Sequence, residues 1–170
     1  MSERIVVIGS CNTDMVINME RLPLPGETII GGNLFMNAGG KGANQAVAAA
    51  RLGGNVSFMA KVGNDHFGSR SIEQYKSEGI EVEHILVDND NPSGVALIMV
   101  DAHGENCIAV ASGANAKLSK KDIDRAENAI NDADIVLMQL ETPLETIEYA
   151  ARIAQDLGKK VILNPAPAHT

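Results

Sequence analysis

Ile135-Val136-Leu137-Met138-Gln139-Leu140-Glu141-Thr142-Pro143-Leu144-Glu145 passes from a nearly unbroken apolar run directly into the start of a helix. A strand with one face in water alternates apolar and polar residues, whereas a run without alternation is covered on both faces. Arg4 to Gly9, Val56 to Val62 and Val161 to Leu163 have the same character as Ile135 to Leu140. Between these runs apolar residues return at helical spacing: Ala43, Ala46, Val47 and Ala50; Ile123, Ala126 and Ile130; Leu144, Ile147, Ala151 and Ala154. The repeated βαβ order predicts an α/β fold, a mostly parallel sheet flanked by helices. Thr142 and Glu145 have capping-box spacing with Pro143 at the first helical position, and Ser119 precedes Asp122 by the same interval. A further helix is predicted from Asp65 to Glu78, with Phe67, Ser71, Ile72 and Tyr75 facing inward and Gly79 ending it.

Two pieces break this alternation. Met15 to Met36, and the pair Gly94 to Val100 and Cys107 to Ala111 joined by a turn over residues 101–106, read as antiparallel strands outside the main sheet. The hairpin is apolar at nearly every position, so covering one face leaves the other exposed and adhesive. It is expected to cover a ligand, a second subunit, or both. The chain divides accordingly into an α/β core over residues 1–14, 37–93 and 112–170 and a small antiparallel β lid over residues 15–36 and 94–111.

The 170 residues are 45% apolar and 21% charged, in the range of a soluble domain with one core of moderate size. A formal charge of −8 without basic clusters, and only 3% aromatic residues, exclude nucleic acid as an expected partner. The apolar run Ile5 to Ile8 is too short for a signal-peptide core, and no stretch approaches a membrane span. Cys11 and Cys107 stand far apart, suggesting neither a disulfide framework nor a metal pair, so a reducing cytoplasm is expected. His66, His84, His103 and His169 show no ligand spacing and read as surface or loop residues.

Three segments carry polar groups suited to a ligand. Asn12-Thr13-Asp14 follows the first strand, and extended geometry puts its amide and carboxylate on one side, able to donate to and accept from neighbouring hydroxyls. From the tripeptide alone, a turn using Asn and Asp for backbone bonds is the favoured reading. Asn37-Ala38-Gly39-Gly40-Lys41-Gly42-Ala43-Asn44 leads into the alanine-rich helix, where consecutive glycines allow close approach to free N–H groups, with Lys41 and Asn44 as donors. A flexible helix cap is the alternative. The loop is not a Walker A motif, because Gly42 stands where Ser or Thr is required, and it lacks the dinucleotide glycine spacing. Glu141 and Asn12 both fall at carboxyl ends of buried strands, where open α/β sheets bind ligands, although a glutamate before a helix can also be merely solvated.

In their order along the chain these segments resemble the N-terminal part of the ribokinase-like family of carbohydrate kinases. The resemblance is carried by Val6-Val7-Ile8-Gly9-Ser10 with Asn12-Thr13-Asp14, Pro25-Gly26-Glu27-Thr28, the run Asn37 to Ala46, and Lys61-Val62-Gly63-Asn64-Asp65. Ser112-Gly113-Ala114-Asn115, Gln139-Leu140-Glu141 and Asn164-Pro165-Ala166-Pro167 continue it to the end of the chain. The resemblance implies that Asn12 and Asp14 hold sugar hydroxyls, that Gly40, Lys41 and Asn44 bind the other side of the ring, and that Glu141 completes the pocket. It also implies D-ribose as the sugar, ATP with Mg2+ as the phosphoryl donor, a monovalent cation (K+), and a homodimer formed through the lid.

Members of that family are nearly twice as long. Their second half carries the glycine-rich anion hole with its aspartate base, the nucleotide pocket and the cation site. Neither Gly-Ala-Gly-Asp nor Asn-x-x-Glu occurs here. The general-base Asp and anion hole are therefore expected beyond Thr170, and the 170-residue chain is expected to be an inactive fragment. A catalytically inert sugar-binding or regulatory module is the alternative, as is a related kinase for another sugar or nucleoside. A nucleotide-binding oxidoreductase fits the βαβ order but not the fingerprint.

Overall fold

The computed structural model describes residues 3–168, so His169 lies outside the described residues. In chain order the first half comprises β1 (Arg4–Ile8), β2 (Asn12–Asn18), β3 (Asn33–Gly39), α1 (Lys41–Arg51), β4 (Asn55–Gly63), α2 (His66–Ser77) and β5 (Ile85–Asp88). Then follow β6 (Gly94–Val100), β7 (Asn106–Ala111), a 3-10 turn at Gly113–Lys117, α3 (Lys120–Arg125), α4 (Glu127–Asp132), β8 (Ile135–Met138), α5 (Leu144–Asp156) and β9 (Lys160–Leu163).

Five strands form a wholly parallel sheet in the order β5-β4-β1-β8-β9. Neighbouring residues of β1 serve opposite cores, which is why its sequence lacks alternation. Val7 packs with Phe58, Val62 and Tyr75 on the side of α1 and α2, where the Phe58 and Tyr75 rings meet edge-on at 5.4 Å. Val6 and Ile8 pack with Met59, Ile123, Ile130 and Ile147 on the side of α3, α4 and α5. Among the described residues no helix is long and apolar enough to cross a membrane.

Two helix starts differ from expectation in detail. The Ser119 and Asp122 capping box forms, but the apolar series Ile123, Ala126, Ile130 belongs to two short helices that meet at Ala126 (φ −111°, ψ 15°). There the Ala126 N–H bonds three residues back to the Ile123 carbonyl. All three side chains are buried nonetheless, so one apolar stripe serves two helices as well as one. At α5, Pro143 occupies the cap rather than the first turn, and its carbonyl accepts from the Thr146 and Ile147 N–H groups. The Thr142 hydroxyl is buried and has no hydrogen-bond partner among the described residues.

The second sheet has the order β3-β2-β6-β7. Its outer ladders are antiparallel, while the central β2–β6 ladder is parallel. Because β2 begins at Asn12, both Asn12 and Asp14 belong to this sheet. Register puts Asp14, Val16, Phe35, Ile98 and Ile108 on one face, and Met15, Met36, Leu97 and Ala109 on the other. Apolar side chains are exposed on both, Ile108 by 53% on the first and Leu97 by 55% on the second.

The Lys61 to Asp65 stretch fastens the frame. Lys61 Nζ lies 2.8 Å from Asp122 Oδ2 and 3.0 Å from the Lys117 carbonyl. Asp65 caps α2 by accepting the Gly68 N–H, and it also accepts the N–H and hydroxyl of Ser93.

Candidate functional site

At the end of β1 the chain passes through Gly9, Ser10 and Cys11 into β2, and β3 returns it to Gly39 and Gly40. Gly40 has φ +90°, a conformation that turns the chain into α1 and that residues with a Cβ rarely adopt. The amino end of α1 is then pressed onto the Ser10 backbone. A Cβ on Gly42 would lie 2.6 Å from Ser10 N and 2.7 Å from Gly9 C, and the Ala43 N–H donates to the Ser10 carbonyl. Glu141 arrives from just beyond β8, which pairs with β1.

Glu141 anchors the junction. Its Oε2 accepts the Ser10 hydroxyl at 2.6 Å and the Lys41 N–H at 2.8 Å, and its Oε1 accepts Lys41 Nζ at 2.7 Å. Burial by itself raises the pKa of this carboxyl, but the two Lys41 bonds and the Ser10 bond outweigh it and hold Glu141 below the ordinary glutamate range. Asp14 shifts the other way. Burial pushes its carboxyl up, the Glu141 charge adds to that, and Lys41 offsets only part. Two carboxylates therefore share one ammonium group, with Glu141 holding it and Asp14 left in need of donors.

Asn12, 5% exposed, accepts Asn115 Nδ2 at 2.8 Å through its Oδ1. Asn115 is itself fixed to both the N–H and the carbonyl of Cys11. The Asn12 amide nitrogen is thereby oriented as a donor. Ser10, Asn12, Ser112, Asn115, Glu141 and Thr142 contribute to the lining of a cleft of about 330 Å3. Asn44 stands apart: it is exposed on α1 and lines a different hollow with Val47 and Gln74. Residue reasoning did not single out Ser10, Asn115 or Thr142. Ser10 and Asn115 lay within motifs carrying the family resemblance, whereas the Thr142 hydroxyl, without a partner among the described residues, has no sequence signal, because the residue reads as a helix cap.

Among the described residues no group of three or more His, Cys, Asp and Glu side chains is placed to hold a metal ion. The residues present do not fit a divalent cation by themselves. The arrangement offers ionised acceptors, an ammonium and an oriented amide at the end of a parallel sheet, which suits a neutral ligand rich in hydroxyls.

The sequence profile of the pfkB family carbohydrate kinases matches residues 2–170. The chain belongs to that family. A ribokinase of Haemophilus influenzae is 46% identical over 168 residues, which are 99% of this chain and 55% of the relative. A deoxyribokinase of Salmonella typhi is 41% identical over 96% of this chain and 54% of the relative. The structure of Arabidopsis thaliana ribokinase complexed with ribose and ATP superposes with a TM-score of 0.83 at 34% identity, covering 98% of this chain and 54% of that one. The chain thus spans about half the length of the pfkB-family relatives it matches. Motifs that resemble this family in the sequence lie where its fold and the polar junction are built.

Proposed function

We propose that this chain is the sugar-binding half of a kinase that transfers the γ-phosphoryl group of ATP to D-ribose, giving D-ribose 5-phosphate. The observation that carries the reading is the half-buried Asp14 carboxylate, which has no side-chain hydrogen bond among the described residues and lies near the Lys41–Glu141 pair. Sugar hydroxyls supply donors to Asp14 and accept from Asn12, while Gly40 and Lys41 approach the other side of the ring and Glu141 fixes Lys41. The lid over residues 15–36 and 94–111, which supplies most of the second sheet, closes on the sugar and holds water away. Catalysis by this half consists of orienting the acceptor, and neither Asp14 nor Glu141 is assigned as the base. ATP as donor goes with a cytoplasmic location, and MgATP and K+ belong to the same reading, with no step here assigned to either ion.

The test is ADP release by the intact protein with ATP and either D-ribose or 2-deoxy-D-ribose, the second chosen because of the likeness to a deoxyribokinase. Ribose is expected to have the higher kcat/KM by about tenfold or more, as when a pocket that bonds a hydroxyl meets an analogue lacking it. Preference for 2-deoxy-D-ribose, or ATP turnover indifferent to sugar, overturns the assignment.

A Cβ on Gly39 would lie 2.1 Å from the Asp14 carboxyl carbon and both its oxygens. Gly39→Ala is expected to displace that flexible side chain and raise KM for the sugar about tenfold or more, with KM for ATP unchanged. Steady-state kinetics beside a thermal melt separate this from misfolding.

The lid also pairs with a second copy in this reading, since it exposes Leu34 and Leu97 on one face and Phe35, Ile108 and Val110 on the other. Ile108→Asp is expected to turn a sedimenting dimer into monomer. A wild-type protein that remains monomeric at high concentration sinks this part of the reading.

A further inference from the structure

At the amino ends of β1 and β4, the opposite end of the sheet from Ser10 and Glu141, lies a hollow of about 390 Å3 that the sugar site does not use. Its floor holds Ser57, whose residue is 8% exposed and whose hydroxyl has no hydrogen-bond partner among the described residues. A buried hydroxyl without a partner costs free energy that a ligand atom in contact with it recovers. Buried Val6 and Ala133 and half-buried Ala129 supply an apolar wall.

The charged groups around this floor are unequal. Arg4 gives its backbone N–H to Asp134, and its guanidinium makes no ion pair among the described residues. Against that single guanidinium the lining sets the carboxylates of Glu81, Glu83 and Asp132. Of these Glu83 has the His84 imidazole beside it, at 3.6 Å. Counting His84 as neutral, the hollow carries two negative charges in excess, and its one guanidinium has no ion pair among the described residues. An inorganic anion suits the guanidinium but meets the carboxylates. A simple diamine suits the carboxylates and leaves the guanidinium unused.

We infer that this hollow is a second binding site, for a basic amino acid or an equally compact molecule that carries two cationic groups and one carboxylate. The carboxylate pairs with Arg4 in the bidentate manner that guanidinium favours. Its ammonium groups face Glu81, Glu83 and Asp132, the methylene chain lies along Val6, Ala129 and Ala133, and a polar atom satisfies Ser57. The volume is that of a site for one small molecule.

The probe is L-lysine, titrated calorimetrically into the intact protein, with cadaverine (no carboxylate) and norleucine (no second cation) as arms. Saturable L-lysine binding is expected, with each analogue weaker by about tenfold or more. Asp132→Asn and Arg4→Gln are expected to weaken it to a similar degree. Ser57→Ala is expected to weaken binding while leaving the melting temperature of the free protein unchanged or higher, an outcome that loss of folding cannot produce. No saturable heat up to about 10 mM L-lysine, affinity unaltered in all three variants, or inorganic phosphate binding in preference to L-lysine overturns the proposal. Sugar phosphorylation can succeed or fail independently, since none of these residues lines the sugar cleft.

Discussion

Asp14→Asn in the intact protein is expected to lower kcat/KM for the sugar by roughly 100- to 10,000-fold while leaving KM for ATP unchanged. The size follows from replacing an ionised acceptor of two hydroxyl protons by a neutral amide, one end of which is itself a donor. No intramolecular bond compensates, because Lys41 is already held by both its N–H and its ammonium to Glu141. The pH dependence provides a second signature. Burial and the nearby Glu141 charge raise the pKa of Asp14, so the form that accepts hydroxyl protons is lost as pH falls through that raised value. Sugar affinity in the wild type should therefore decline at a pH above the ordinary aspartate range, and the Asn variant should lack that limb. Glu141 does not mimic it, being held below its ordinary range. Sugar kinetics untouched by Asp14→Asn refute the assigned role.

Lys61→Ala is expected to destabilise the fold by about 3–5 kcal/mol, the usual consequence of removing one partner of a buried ion pair. The side chains of Lys61 and Asp122 are only 15% and 5% exposed, so the carboxylate left behind is largely withheld from water, with Arg125 Nη1 3.8 Å from its other oxygen. Ser119 still donates its N–H and hydroxyl to Asp122, so the lower end of that range is the better expectation. Although burial raises the Asp122 pKa, the bonds from Lys61 and Ser119 prevail and depress it. A depressed folded pKa contributes stability that is present at neutral pH and is lost as pH falls through the folded value. The gap between wild type and Lys61→Ala, measured by urea unfolding, should thus narrow below about pH 4. A gap under about 1 kcal/mol at pH 7 contradicts the description of this pair as buried.

How much of this was legible beforehand depends on the range over which each signal acts. The parallel strands were visible because burial on both faces removes alternation locally, and α1 and α5 because a stripe of small apolar residues repeats within one helix. The break at Ala126 was not visible, since both versions of the segment bury Ile123, Ala126 and Ile130 equally. Nor was the parallel pairing of β2 with β6, because a hairpin turn announces only its own two strands. The polar residues of Asn12-Thr13-Asp14 and Glu141 were identifiable as types, at strand ends where ligands gather. What Glu141 does, joining Ser10 across 131 positions and Lys41 across 100, is written in no local pattern. The exposure of Asn44 was equally hidden, because the residue follows the glycine loop but points to another hollow.

The position of β1 between β4 and β8 has a temporal consequence. This middle strand of the sheet leaves the ribosome ahead of both its partners, and one of them, Ile135–Met138, follows about 130 residues later. At about 5–20 residues per second β1 waits on the order of ten seconds with one edge unpaired and its apolar residues uncovered on the α5 side. Over that interval the Ser10 hydroxyl and the Lys41 ammonium remain without their common acceptor until Glu141 emerges.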